Sequence, residues 1–111
     1  MIKHYAKIPA ERVEMEGTEG ATIRWLIAER DGAPNFYMRL LELEPGGHSP
    51  RHRHDYEHEI FILEGEGAAL YEGEEHQIEA GYFLFIPPNA EHQLRNTGDG
   101  ILKFLCLIPR R

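Results

Sequence analysis

The sequence predicts an all-β domain, a sandwich or barrel with little or no helix, and three observations predict it. Turn signals recur at intervals of about 8–12 residues: Asp31-Gly32, Pro45-Gly46-Gly47, Gly65-Glu66-Gly67, Glu72-Gly73, Ala80-Gly81, Pro87-Pro88-Asn89 and Thr97-Gly98-Asp99-Gly100. Between them lie short runs rich in β-branched, aromatic and leucine residues. No segment sustains the apolar period near 3.6 residues that an amphipathic helix needs.

The elements follow in order. Residues 1–21 carry no clear pattern and read as an N-terminal arm or edge strand, and 22–111 as one barrel domain. Strands are expected over 22–28, 36–44, 59–63, 68–71, 82–86 and 101–108. In the last of these, placing Lys103 in solvent sends Leu102, Phe104, Cys106 and Ile108 to the interior, because successive side chains alternate faces. The 36–44 run resists such an assignment, since Arg39 shares a face with Leu41 and Leu43. Either the strand is buried on both sides, as at a subunit contact, or Arg39 occupies a paired interior position. Trp25, Tyr56, Phe85 and Phe104 are expected in the core, one or two of them walling a cavity.

Composition narrows the function. A chain of 111 residues is one domain. Its net charge of −7 excludes a nucleic-acid face, and the Arg110-Arg111 pair reads as a solvated tail. The single cysteine, Cys106, excludes a disulfide framework and a cysteine-based zinc site. No apolar stretch is long enough to cross a bilayer, and Met1 to Tyr5 lack the apolar core of a signal peptide. A cytoplasmic protein with no membrane partner is expected.

The chemistry-bearing residues are histidines. His52 and His54, two apart, leave the same face of an extended segment about 7 Å from one another. On a continuous strand His58 would lie about 13 Å further on, too far to share an ion, so the chain has to turn back through Asp55-Tyr56-Glu57. Two short antiparallel strands would result, His54 ending one and His58 opening the next. His92 follows the 82–86 run and the turn Pro87-Pro88-Asn89, so convergence of all four rings is permitted.

This arrangement resembles the cupin family. The first cupin motif is matched by Gly46, His52-Arg53-His54, His58 in the acidic residue's place, and the closing Gly65. The second is matched by Gly81, Pro87, Asn89 in place of a glycine, His92 and Asn96. Asn89 is a mild departure because asparagine tolerates positive φ. His58 turns three histidines and a carboxylate into four histidines. A longer spacer would select Glu59 instead, but His58 and Glu59 point to opposite faces, and His58 is the expected ligand. Pro34-Asn35-Phe36, Glu57 to Phe61 and Phe104 to Pro109 look like the small single-domain, four-histidine cupins.

The resemblance implies a jelly-roll barrel, a homodimer and one divalent transition ion per chain on His52, His54, His58 and His92. Manganese or iron is favoured, with zinc, nickel and copper also compatible with imidazole ligands. It implies an oxygenase-like enzyme acting on a small organic molecule. The alternatives are a non-catalytic binding or sensor protein, and a metal-assisted isomerase or lyase for a sugar or keto acid. Glu57, Glu59 or His48 could support the ligands from behind. Cys106 could line the pocket, although free cysteine is usually an inert small hydrophobe. His4 and His76 read as ordinary exposed residues.

Overall fold

Nine strands, all pairing antiparallel, account for most of the computed structural model, which describes residues 1–111. They are β1 (Glu11–Arg12), β2 (Glu19–Ile27), β3 (Phe36–His48), β4 (His58–Glu64), β5 (Glu66–Tyr71), β6 (Glu74–Glu79), β7 (Phe83–Ile86), β8 (His92–Asn96) and β9 (Leu102–Pro109). The only helical pieces are single 3₁₀ turns at Tyr5–Lys7 and Glu29–Asp31. The curled sheet runs β6-β5-β8-β3-β9-β4-β7, with β2 and then β1 added beside β3. The all-β jelly-roll expectation holds.

β3 joins the two layers. Its first part, Phe36 to Leu43, pairs with β9, whereas His48 at its far end pairs with Arg95 of β8. Pro45-Gly46-Gly47 lies between, and Gly46 takes φ +80°, a conformation that costs glycine little and other residues more. At the turn between β4 and β5, Gly65 has φ +88°, and a side chain there would collide with the Ile101 carbonyl oxygen. Both motif glycines therefore answer to backbone geometry.

The core gathers on the concave face around Leu43, Ile62, Ile86 and Leu102, all fully buried. β9 alternates as read from the sequence, with Leu102, Phe104, Cys106 and Ile108 buried. Lys103 faces the other way, but its Nζ donates to the Tyr5 hydroxyl (3.1 Å) beneath the N-terminal 3₁₀ turn. Arg39 takes the interior alternative, paired with a side chain described below. Leu40, on the opposite face, is already buried within the single chain.

Several elements differ from the sequence reading. β6 went unpredicted because only Ile78 among its six residues is buried, which leaves no alternation to detect. β8 is short and polar, yet His92, Leu94 and Asn96 point inward in strict alternation with Gln93 and Arg95. His92 is thus the first residue of a strand that the sequence reading did not include. Phe85 is 59% exposed and does not belong to the core. It pairs with Glu59, on the face of β7 opposite Leu84 and Ile86.

Candidate metal centre

Backbone contacts bring the histidines together. His52 and His92 exchange two main-chain hydrogen bonds, His52 N to His92 O (3.2 Å) and His92 N to His52 O (3.0 Å). The turn after β7 is tied in by Asn89, whose N–H donates to the His54 carbonyl (2.6 Å). Asn89 has φ +70°, the left-handed conformation expected where the motif carries glycine. Asp55 and Tyr56 form the bend, and β4 opens at His58. The segment before the bend makes only the isolated bridge to His92, so it does not form a strand paired with β4.

The four rings converge. Ring centroids lie 5.0 Å apart for His52–His54, 4.9 Å for His52–His92, 4.9 Å for His54–His92, 4.5 Å for His54–His58 and 5.2 Å for His58–His92. Ligand nitrogens of His52, His54 and His92 all fall within 4.8 Å of one another, a cluster that can hold a metal ion. His58 lies beside this trio, stacked on His54.

The hydrogen bonds assign the tautomers. His54 Nδ1 donates to the Tyr56 carbonyl (2.7 Å) and His92 Nδ1 to the Ala90 carbonyl (2.9 Å), which leaves both Nε2 lone pairs free. His58 Nδ1 lies 2.9 Å from Cys106 Sγ. The Nε2 atoms of His54, His58 and His92 are buried with no hydrogen-bond partner. Buried polar atoms left orphaned are costly, and those of His54 and His92 belong to the cluster that can hold a metal ion. Imidazole also suits zinc, copper, iron and nickel, so the donor set accepts a transition ion without choosing one.

Electrostatics point the same way. Burial, then the neighbouring His92 and His54, lowers the His52 pKa to about 4. Burial, followed by the Arg39 guanidinium, lowers that of His58 to about 2. His54 is also lowered, chiefly by burial. Those three rings are therefore held neutral, the form that ligates metals.

The other candidates divide. Glu59 is exposed on the outer side of β4 and hydrogen-bonds to none of the rings; backbone carbonyls orient His54 and His92 instead. Glu57 makes no hydrogen bond to them either. His48 donates to the carbonyl of its neighbour Ser49 (3.1 Å), and His4 caps the first 3₁₀ turn. His76 is exposed on β6. Tyr56 stacks on His54 with centroids 4.0 Å apart. Asn96, the last residue of the second motif, is 4% exposed and no ligand. Its Nδ2 donates to Leu43 O (2.8 Å) and Gly100 O (2.7 Å), while its Oδ1 accepts from Gly98 N (2.9 Å).

A cavity of about 280 Å³ opens beside the rings, floored by His52, His58 and His92 and walled by Trp25, Leu41, Ile60, Leu94 and Phe104. Cys106 lines it, as the alternation suggested. Three contributors were missed from the sequence. Val13 and Met15 reach the cavity from the N-terminal segment, where no periodicity flagged them. Arg39 enters it from β3, and the only signal was its awkward place among apolar neighbours.

The fold and the histidine cluster define an antiparallel barrel with a candidate metal centre at the mouth of an apolar cavity. Residues 39–108 match the cupin domain model, and the chain belongs to the cupin family. It is similar to the 1-methylthio-D-xylulose 5-phosphate methylsulfurylase of Rhodospirillum rubrum, 40% identical over 72 residues. That match covers 64% of this chain and 46% of the relative, so the chain spans about half of that protein. An oxalate-binding protein of Thermotoga maritima is 31% identical across 97% of this chain and 93% of its own length. Among solved structures, the polyketide cyclase RemF of Streptomyces resistomycificus superposes with a TM-score of 0.92 at 32% identity. It is covered to 81%, and this chain to 100%. No helix is long and apolar enough to cross a membrane.

Proposed function

We propose that this protein is a metal-dependent enzyme, oxygenase-like in its chemistry, acting on a small and largely apolar organic molecule. His52, His54, His58 and His92 would hold one divalent ion, with manganese or iron favoured. The observation that carries the reading is the set of orphaned, buried Nε2 atoms of His54, His58 and His92. An ion bound there would supply Lewis-acid polarisation and, as manganese or iron, one-electron redox chemistry. The chain's own residues do the rest. Carbonyls of Tyr56 and Ala90 fix two imidazole planes. Trp25, Leu41, Ile60 and Phe104 exclude water and receive an apolar body. No carboxylate lines the cavity to serve as a general base.

A non-oxidative reading has specific support as well. The relatives include a methylsulfurylase and a polyketide cyclase, and an oxalate-binding protein favours a binding role. One fold hosts all of these. A homodimer belongs to the same proposal and finds support in the exposed Phe61, Phe83 and Phe85 on β4 and β7.

Elemental analysis tests the centre. His54→Ala and His92→Ala are expected to lose the metal found in the purified protein, while Glu59→Gln keeps it. Unchanged metal in both histidine variants refutes the site. Oxygen uptake by the metal-loaded protein then tests the chemistry: activity undiminished without oxygen sinks the oxygenase reading and leaves the non-oxidative one.

A further inference from the structure

One charged side chain stands apart from the metal centre. Arg39 faces the cavity from the middle of β3, in the cross-strand row Trp25, Arg39, Cys106 and Ile60. Its guanidinium lies over the Trp25 ring, 5.4 Å from the centroid, and Nη2 donates to Cys106 Sγ (2.8 Å). No carboxylate lies within ion-pair distance of it: none of the salt bridges in the chain includes Arg39. Its Nε is buried without any hydrogen-bond partner.

That is an unusual economy of charge. The chain has 19 acidic and 12 basic residues, yet none of the acids lines the cavity, and Arg39 is its only permanently charged wall. A guanidinium drawn partly out of water without a counter-charge is costly, and a thiol is a weak acceptor that does not neutralise it. Its place over the Trp25 ring and its bond to Cys106 hold the group, and most of its five N–H donors remain uncommitted. A planar, oriented cation with spare donors at the end of an apolar slot matches an oxyanion carried on an apolar body.

We propose that Arg39 is the specificity determinant of the cavity and selects a small organic acid, its carboxylate paired with Arg39 and its apolar part against Leu41, Ile60 and Phe104. This deepens the enzyme reading above and rests on it for the view that the cavity is a substrate site. At about 280 Å³ the cavity suits a single ring or short chain, being at the small end of ligand pockets. Trp25, the only tryptophan in the chain, doubles as an internal reporter of occupancy.

The test is calorimetric titration of the purified protein with benzoate and with benzamide, its neutral near-isostere, following Trp25 emission and measuring metal content in parallel. Benzoate is expected to bind at least about tenfold more tightly than benzamide, as charge-assisted pairs do, and to shift Trp25 emission. Arg39→Gln should bring benzoate down to the affinity of benzamide while leaving metal content unchanged. Arg39→Lys, which keeps the charge, should retain part of the preference, and it decides between the outcomes should the glutamine variant fail to fold. Equal affinity of the wild type for both probes, or full benzoate affinity in Arg39→Gln with metal intact, overturns the proposal. The second outcome would mean that the ion alone holds the acid. Benzoate preference in a protein devoid of metal would support Arg39 and sink the metal reading instead.

Discussion

Asn96 offers the sharpest test of how the second histidine motif works, because the structure makes it a clasp. Four residues after His92 on the same strand, its side chain binds the Leu43 carbonyl of β3, the Gly100 carbonyl and the Gly98 N–H. Replacing it by alanine removes three hydrogen bonds and strands a carbonyl inside the core. At about 1 kcal/mol net per bond, and somewhat more for an acceptor left buried, Asn96→Ala should cost about 2–4 kcal/mol. With about 2.1 cal/mol/K of unfolding entropy per residue, that corresponds to a Tm lower by roughly 9–17 °C. Asn96→Asp retains the acceptor for Gly98 but sets an oxygen against two carbonyls, and should lose at least as much. Urea denaturation and thermal melts of both variants measure the effect. Metal content should survive in protein that remains folded, since Asn96 touches none of the rings. A loss below about 0.5 kcal/mol in Asn96→Ala would refute the clasp, and selective loss of metal from a stable variant would mean that Asn96 serves the centre directly.

The depressed imidazoles predict a pH dependence for the metal-free protein. With His52 at about 4 when folded, against an ordinary value of 6.5, the unfolded chain binds the proton first between those values. Stability is therefore complete above about pH 6.5 and lost as pH falls toward 4, with His58 extending the loss toward 2. Urea midpoints of chelated protein at pH 7.5, 6 and 4.5 should decline in that order, and a midpoint that rose on acidification would contradict it. If Phe61, Phe83 and Phe85 meet a second copy, sedimentation equilibrium should return twice the 12.8 kDa chain mass. A Phe83→Glu variant should return the single mass, and a monomeric wild type disproves the pairing.

The parts of the site legible in the sequence were those set by local chain geometry. The side-chain alternation of β9 and the left-handed demand met by Asn89 each follow from a few consecutive residues. Ring convergence was legible only as permission, because the bond from Asn89 to His54 and the His52–His92 bridge join segments about 40 residues apart. The tautomer partners were left open by the sequence for a related reason. Acidic residues beside His58 are conspicuous in a sequence, whereas the carbonyls of Tyr56 and Ala90 are invisible until the backbone is folded. β6 and the wall contributed by Val13 and Met15 left no periodic trace at all.

The departure most visible in the sequence, histidine where the motif carries an acid, has a consequence that only the folded side-chain contacts show. Position 58 lies against Cys106, and Cys106 lies against Arg39. A carboxylate at 58 would stand beside that guanidinium and neutralise it within the chain. A histidine cannot, and the Arg39 charge instead helps hold His58 unprotonated. The same exchange therefore adds an imidazole to the centre and leaves a cation in the cavity without an internal partner. The two features are coupled through position 58. His58→Glu should weaken benzoate binding even where metal is retained, because the new carboxylate takes the place at Arg39 that the organic acid would fill.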